Sequence, residues 1–464
     1  MPVNPRVPSV DQARRIGRDR RKAMSRSAHA ELRLPERDPV AVIEEQNASR
    51  LADLVPVRIG RMLQSPFTYY RGTAGVMARD LAGGVDTGVW VVSCGDAHVS
   101  NFGLFASPER RVVFDLNDFD EAGDAPWEWD LKRLVASVHV GARDLGASED
   151  ACADACRLTV AAYRTSLGDL YETTALDRYY RTVDVDALAD RLSDDDLPVL
   201  ERTVRKARRR TSDQVLEKLE FADIDGRRRI VDQPPIVQHV EHASLDELDA
   251  LFQRYRSVVR EDIAVVLDQF RLVDYVLRVV GVGSVGTRCY LLLFEGPGGE
   301  PLVLQAKEAQ ASVLATYGGM HDGLPAGLGP EDHIQGHRVV AGQRILQAQS
   351  DPFLGWIEGW AGDDRDRRVD YYWRQFRDMK GSVDVGRLSV DQFARYGTLC
   401  GALLARAHSQ SSGGAVICGY LGRSERFDEA VAAWARAYAD VCEADHDALA
   451  AAVRRGRLPA ESGM

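Results

Sequence analysis

The most constraining feature of this sequence is a group of cation-binding side chains set beside apolar segments within residues 94–131. Its members are Asp96, His98, Asn101, Asp115, Asp118 and Asp120. The neighbouring runs at 89–92 and 112–114 are short and apolar, which is typical of buried strands. Carboxylates this close repel one another and are difficult to desolvate unless a divalent cation lies among them. The segment therefore predicts a metal and phosphate site.

The composition narrows the class of protein. A chain of 464 residues has room for two or three domains with real cores. The net charge of −11 argues against a general binder of nucleic acid or of membrane surfaces. No apolar run approaches the roughly 20 residues that span a bilayer. The seven cysteines include no CxxC pair, which fits a reducing compartment, so we expect a cytoplasmic protein.

Changes in composition divide the chain into four parts. Residues 1–38 are polar and Arg-rich, and predict a flexible basic arm. Residues 39–272 contain the carboxylate segment together with helical insertions, and residues 273–381 predict a β-rich domain. Residues 382–464 are helical, and we expect them to return to the first half.

A glycine-rich turn and a lysine mark the β-rich domain. The turn GVGSVG, with Gly281, Gly283, Ser284 and Gly286, lies between two apolar β-like runs, where glycines let backbone N–H groups approach phosphate oxygens. The alternative is a purely structural hairpin. Lys307 follows in the strand LVLQAKEA, where a buried ammonium is costly unless it meets an anion. A glycine hairpin followed by a strand lysine is the phosphate grip of protein kinases.

The elements predicted after Lys307 follow the order found in protein kinases: a helix at 331–349, a strand pair at 352–376, a connector at 377–381 and a long helix from 390. A kinase chain would then present an Asp with an Asn five residues later. This chain has that pair upstream, as Asp96 and Asn101, with a second Asp following in DFD at 118–120. We therefore predict an α+β, two-lobed, protein-kinase-like fold that is circularly permuted and carries large helical additions.

Several motifs resemble known families. CGDAHVSNFG resembles the HGDLHxxN loop of aminoglycoside phosphotransferases and related small-molecule kinases, and NDFDEAGDAPWEWDL resembles their metal-binding Asp followed by a helix-starting Asp. Over nearly its whole length the chain also resembles the bacterial family of domain of unknown function 2252. The segments that carry this second resemblance are RIGRMLQSPFTYYRG, GDAHVSNFG, NDFDEAGDAPWEWDLKRL, AKEA and GQRILQAQSDPFLGW.

The resemblance to the kinases implies a role for each matching residue. Asp96 matches the catalytic base, and Asn101 and Asp118 match the Mg²⁺ ligands. Lys307 matches the lysine that holds the α- and β-phosphates of ATP, and Asp130 matches the Asp that braces the catalytic loop.

Four positions keep two interpretations each. Asp115 competes with Asp118 as metal ligand, because its spacing from Asn101 is closer to the expected one. The helix Glu that would pair with Lys307 has only Glu308 and Glu331 as candidates. A further two residues could take part in the site or be structural. Arg71, backed by Arg58 or Arg61, either contacts substrate or phosphate, or is an ordinary surface arginine. His98 either takes part in the chemistry of the site or braces its loop by a hydrogen bond.

The sequence thus predicts an ATP- and Mg²⁺-dependent phosphotransferase acting on a hydroxyl of a small molecule rather than of a protein, with no nucleic-acid or membrane partner. Four alternatives remain. They are transfer of AMP on the same fold, a metal-dependent phosphohydrolase in which Gly362, Asp363 and Asp366 imitate a GDxxD motif, a thiol catalyst at Cys94, and an inactive nucleotide-binding scaffold.

Overall fold

Helices make up most of the chain in the computed structural model, and the β-structure is concentrated in one six-stranded sheet. The structure describes residues 8–189, 194–208, 221–224, 227–279, 285–325, 327–328, 334–376 and 379–461. The predicted mixed α+β class is confirmed.

The strands, numbered in chain order, are β1 (Trp90–Ser93), β2 (Phe102–Ala106), β3 (Val112–Leu116), β4 (Gly123–Pro126), β5 (Phe221–Ile224), β6 (Arg227–Ile230), β7 (Val237–Gln238), β8 (Arg271–Arg278), β9 (Cys289–Glu295), β10 (Pro301–Ala309), β11 (Gly355–Ala361) and β12 (Asp364–Gln375). The α-helices in the described residues are Val10–Ala23, Pro39–Asn47, Val55–Met62, Pro66–Arg71, Ala74–Ala82, Trp127–Asp144, Glu149–Leu170, Ala175–Tyr180, Val185–Ala189, Leu197–Arg208, Leu245–Arg256, Glu261–Leu267, Val313–Thr316, Gln335–Leu346, Val390–His408, Gly414–Leu421 and Arg426–Arg454.

The large sheet is antiparallel, with the strand order β11-β12-β10-β9-β8-β7. Side chains alternate between its two faces because a strand has a period of two. Ala306 and Trp373 therefore share one face, where Trp373 stacks on Tyr255 of the covering helix Leu245–Arg256. Lys307, paired in register with Tyr372, is directed to the opposite face. That face carries the polar site.

Two short ladders hold the carboxylate segment. β1 pairs with β4, and β2 pairs with β3, so the loop after β1 and the loop after β3 lie side by side. Gly95 has φ +78° and lies against the backbone carbonyl of Glu121, where a Cβ atom would clash. Only glycine satisfies both conditions at this turn. The two loops can approach closely for this reason.

A helical bundle supports these ladders. Helix Trp127–Asp144 is buried over nearly its whole length and packs against Glu149–Leu170, Val390–His408 and Arg426–Arg454. Gly401 brings helix Val390–His408 against the backbone of Glu149–Leu170, since a side chain there would meet a carbonyl oxygen. The C-terminal helices therefore pack into the same core as the carboxylate segment.

The N-terminal region differs from the flexible arm that the sequence predicts. Helix Val10–Ala23 packs on helix Gly414–Leu421, with Gly17 and Gly419 at the contact, because small residues let the two backbones approach closely. Arg21 donates to the carbonyl of Tyr420 at 2.5 Å, so a basic side chain of this region satisfies the C-terminal end of helix Gly414–Leu421. Within the described residues, no helix is both long and apolar enough to cross a membrane.

Candidate functional site

A cleft separates the large sheet from the carboxylate segment and encloses about 890 Å³, counting its open mouth. Its lining comes from three parts of the chain: Gln46, Arg50, Arg58, Arg71, Gly72 and Ala74; Asp96, His98, Asn101, Asp118, Asp120 and Glu121; and Thr287, Glu308 and Gln310. The cleft thus contains the predicted residues Asp96, Asn101 and Asp118, and in addition Arg71 and His98.

Asp130 anchors the loop that follows β1. Its Oδ2 accepts the backbone N–H of Cys94 at 2.6 Å and its Oδ1 accepts that of Gly95 at 2.9 Å. The residue lies in the first turn of helix Trp127–Asp144 and is buried. A buried carboxylate that accepts two backbone donors holds those donors in one arrangement. This geometry is that of the loop brace implied by the resemblance.

Asp96 is held by Arg133 of the same helix. The Nε atom of Arg133 donates to Asp96 Oδ1 at 2.9 Å, and the guanidinium also stacks on the ring of Tyr70. Burial raises the pKa of Asp96 above its ordinary value, and the charge of Arg133 opposes this shift. A carboxylate oriented in this way and raised in basicity suits a general base.

Asn101 and His98 belong to the short 3₁₀ turn Val99–Asn101 and its cap. The Nδ2 group of Asn101 donates to the carbonyl of Asp96 at 2.6 Å, so its amide oxygen is the atom suited to bind a cation. His98 Nδ1 accepts the backbone N–H of Ser100 at 3.1 Å, and burial lowers the pKa of the imidazole well below its usual range. His98 therefore acts here as a neutral brace, with Nε2 3.8 Å from Asp96.

Asp118 presents to the cleft a carboxylate oxygen that no described residue binds. Its Oδ1 is buried and makes no hydrogen bond within the described residues, which is costly unless another group binds there. The backbone carbonyl of Asp118 accepts the thiol of Cys94 at 3.2 Å. Asp118 and Asn101 together offer oxygen ligands of the kind that Mg²⁺ prefers, so the donor set fits that ion.

Lys307 forms an ion pair with Asp120, across 187 positions of sequence. Tyr372, opposite Lys307 in the sheet, donates its hydroxyl to the other oxygen of Asp120 at 2.8 Å. Burial disfavours the charge on Lys307, but Asp120, Tyr372 and Asp118 outweigh it and raise the pKa of the ammonium. The ion pair between Lys307 and Asp120 therefore connects the large sheet to the carboxylate segment.

Two further cations lie near this ion pair. Arg374 on β12 donates to the side chain of Gln305 at 2.9 Å. Repulsion from Arg374, together with burial, lowers the pKa of Lys380 to about 7, and the charge of Asp118 opposes that shift. Positive charge therefore accumulates around Lys307, as an anionic ligand would require.

Asp115 is a structural residue, which decides between the two candidate ligands. Its Oδ1 accepts the backbone N–H of Leu116 and its Oδ2 accepts that of Ala348, both at 2.9 Å. The residue lies within β3 opposite Gly103 and does not line the cleft. The prediction that Asp115 is a metal ligand is therefore corrected, because backbone donors already occupy its carboxylate.

No glutamate pairs with Lys307 within the described residues. Glu308 lines the cleft but pairs with Arg288 at 3.0 Å, while Glu331 lies outside the described residues. The nearby helix Gln335–Leu346 contributes Arg338 instead, which donates to the carbonyl of Asp120 at 2.8 Å. The acidic partner of Lys307 comes from the carboxylate segment.

The predicted glycine hairpin is described only in part. Gly281, Gly283 and Ser284 lie outside the described residues. Gly286 has φ +89°, and its carbonyl accepts the N–H of Leu51 at 2.8 Å. The described end of the hairpin thus lies beside Leu51, next to the cleft residue Arg50.

Two competing arrangements receive no support from the geometry. Asp363 and Asp366 lie exposed at the tip of the β11–β12 hairpin, and they do not line the cleft. Burial raises the pKa of the Cys94 thiol well above its ordinary value, which disfavours the nucleophilic thiolate. All seven cysteines fall in the described residues and are free thiols.

A family model described as an uncharacterized protein conserved in bacteria (DUF2252) matches residues 50–452. The chain belongs to this family. No match was found among curated proteins or among solved structures. The part that matches DUF2252 contains every lining residue of the cleft except Gln46, whereas helix Val10–Ala23 precedes it.

Several residues of this DUF2252 site carry no distinctive pattern in the sequence. Arg133, Tyr372 and His408 are buried and contact Asp96, Asp120 and Asp130 respectively, yet each lies in an ordinary apolar helix or strand pattern. A charged residue amid apolar positions, as with Arg133 in DLKRLVAS, was the one available signal.

Proposed function

We propose that this DUF2252 protein is an ATP- and Mg²⁺-dependent phosphotransferase that acts on a hydroxyl group of a small molecule. The observation that carries the proposal is the ion pair between Lys307 and Asp120 beside the unpartnered oxygen of Asp118. A strand lysine next to an acidic, oxygen-rich loop is the arrangement that protein kinases use to hold the phosphates of ATP.

The topology of the sheet supports a kinase-like small lobe. Lys307 lies on β10, which is the third strand when β8 is counted as the first. In the chain, helix Gln335–Leu346 lies between β10 and the β11–β12 pair. This is the element order expected from the sequence. Because the carboxylate segment precedes this sheet in the chain, the proposal includes a circular permutation, which surface termini permit.

Each residue has a role in the proposed reaction. The acceptor hydroxyl oxygen bonds to the γ-phosphorus of ATP, the bond from that phosphorus to the bridging oxygen breaks, and ADP leaves. Asp96, oriented by Arg133, takes the hydroxyl proton. Lys307 binds phosphate oxygens, and Asn101 and Asp118 would hold Mg²⁺. When bound, Mg²⁺ would neutralise negative charge on the phosphate groups.

Calorimetric titration with Mg-ATP tests the proposal. We expect the wild type to bind, and Asp118→Asn and Lys307→Met to bind at least about tenfold more weakly, which corresponds to 1.4 kcal/mol. Asp366→Asn is the matched control, because it removes an exposed carboxylate outside the cleft. If the wild type does not bind Mg-ATP, the proposal is wrong.

Isotope position then identifies the group that is transferred. Incubation with ATP labelled on the γ-phosphate should label the acceptor, whereas α-labelled ATP should not. Incorporation from the α-phosphate alone would replace phosphate transfer by transfer of AMP on the same site.

A further inference from the structure

One wall of the cleft carries three arginines that form no ion pair with any described residue. Arg50, Arg58 and Arg71 line the cleft, and none has a carboxylate oxygen of a described residue within 4.0 Å. Two other buried arginines are neutralised, since Arg37 pairs with Asp80 and Arg164 pairs with Asp428, whereas Arg338 and Arg406 donate to several backbone carbonyls. Burying a cation without a counter-ion is costly, so this wall requires an explanation.

Arg58 illustrates the cost. It is fully buried, and every oxygen to which it donates is neutral. Two of these acceptors are Asn47 Oδ1 at 2.7 Å and the Gly72 carbonyl at 3.0 Å. Its Nε atom has no hydrogen-bond partner in the part of the chain that the structure describes. Burial and repulsion from Arg50 lower its pKa well below the ordinary value, because no acid compensates the charge.

Arg50 and Arg71 bound the open part of the same wall. Arg50 donates to the carbonyl of Val285 at 2.6 Å, beneath the end of the glycine hairpin, and its Nε has no hydrogen-bond partner among the described residues. The charges of Glu121, Asp120 and Glu308 act on Arg50, although none of the three forms an ion pair with it. Arg71 also has a buried Nε that makes no hydrogen bond with any described residue, and the acid whose charge acts on Arg71 is Asp96. Arg71 is therefore on the Asp96 side of the cleft, where the acceptor of the proposed reaction must bind.

The nucleotide side has cations of its own. Lys307, Arg374 and Lys380 cluster around Asp118 and Asp120. A nucleotide triphosphate held there has its charge met without the arginine wall. The wall thus provides a second anion site, next to the base.

We propose that Arg71 and Arg50, with the buried charge of Arg58 behind them, bind a phosphate group of the acceptor, so that the substrate is a phosphorylated small molecule with a free hydroxyl. The identification of an acceptor rests on the proposed function above. A phosphate is favoured over a carboxylate because its double negative charge and several acceptor oxygens match more than one guanidinium. The bound phosphate positions the hydroxyl at Asp96 and is itself unchanged in the reaction.

Calorimetry with inorganic phosphate as the probe tests the inference, with and without saturating Mg-ADP. We expect phosphate to bind the wild type, and Arg71→Gln to weaken this binding at least about tenfold while changing Mg-ADP affinity less than about twofold. Arg71→Lys should retain part of the affinity, because the charge remains. Arg79→Gln, which removes an exposed arginine outside the cleft, is the matched control and should behave as wild type.

Three results would overturn the inference. The first is that the wild type does not bind phosphate, and the second is that it binds acetate more tightly than phosphate. The third is that Arg71→Gln loses affinity for Mg-ATP but not for Mg-ADP, which would assign Arg71 to the γ-phosphate. Thermal unfolding of each variant checks that it is folded. Arg71-dependent phosphate binding by a protein that fails to bind Mg-ATP would refute the kinase proposal while the anion site stands, so the two failures are distinguishable.

Discussion

The imidazole of His408 lies 3.2 Å from the carboxylate of Asp130, although the two residues are 278 positions apart. The acid accepts from Nε2, so Nδ1 is left to accept the hydroxyl of Tyr163 at 2.8 Å. Asp130 also holds the N–H groups of Cys94 and Gly95. The C-terminal end of helix Val390–His408 and the loop of the candidate site therefore share one buried anchor.

Replacing Asp130 by alanine should lower stability and loosen the site. The change leaves two buried backbone N–H groups and a buried histidine without their acceptor, which costs about 3–5 kcal/mol. Denaturant unfolding measures the loss. Asp144→Ala, at an exposed position of the same helix, should change stability by less than about 0.5 kcal/mol. Equal effects of the two substitutions would contradict the anchoring role.

The ion pair of Lys307 and Asp120 should show strong energetic coupling. Lys307→Met leaves the carboxylate of Asp120 without its paired ammonium, which destabilises the fold by about 2–4 kcal/mol. Adding Asp120→Asn should recover at least about 1 kcal/mol, because the uncompensated charge is then removed. A double-mutant cycle by chemical denaturation gives the coupling. Additive effects would mean that the pair contributes no specific stabilisation.

Glu121 should make stability depend on pH. Burial raises its pKa from 4.5 to about 7 in the folded protein. The folded state therefore binds more protons than the unfolded state between these values, and the contribution to stability falls as pH rises from 4.5 to 7. Relative to Glu121→Gln, the wild type should lose about 2 kcal/mol between pH 5 and pH 8. Parallel stability curves for the two proteins would show that Glu121 does not titrate in this range.

Arg133 should control the acid limb of the proposed reaction. Its charge opposes the increase in the pKa of Asp96 that burial causes. Arg133→Gln removes this opposition, so Asp96 should protonate at higher pH and the acid limb of the pH–rate profile for phosphate transfer should move upward by about one pH unit. Lys132→Gln is the control, because it removes the neighbouring buried cation, which does not bind Asp96. An unmoved acid limb in Arg133→Gln would separate Arg133 from the base.

Local sequence patterns were sufficient for the elements of the β-rich domain. The predicted helix at 331–349 is observed as Gln335–Leu346, and the predicted strand pair at 352–376 is observed as β11 and β12. Periodicity could locate these elements because it depends on neighbours within a few positions. It could not anticipate the docked N-terminal helix, whose contact with Gly414–Leu421 involves residues 400 positions away.

By itself, the sequence determined which chemical groups this chain can bring to a site. Apolar neighbours and a period of two place Lys307 in a buried strand, and the short spacing from Asp96 to Asp120 requires compensation of their charge. These properties are local, so no tertiary information is needed to derive them.

The tertiary structure decided which of these groups meet. Among the described residues, it directed Asp115 to backbone donors, left an oxygen of Asp118 without a hydrogen bond, and paired Lys307 with Asp120. It also assembled the arginine wall. Spacing along a chain cannot specify such contacts, because they depend on how two loops and a sheet far apart in sequence pack against each other, and on which buried charges that packing leaves to be neutralised.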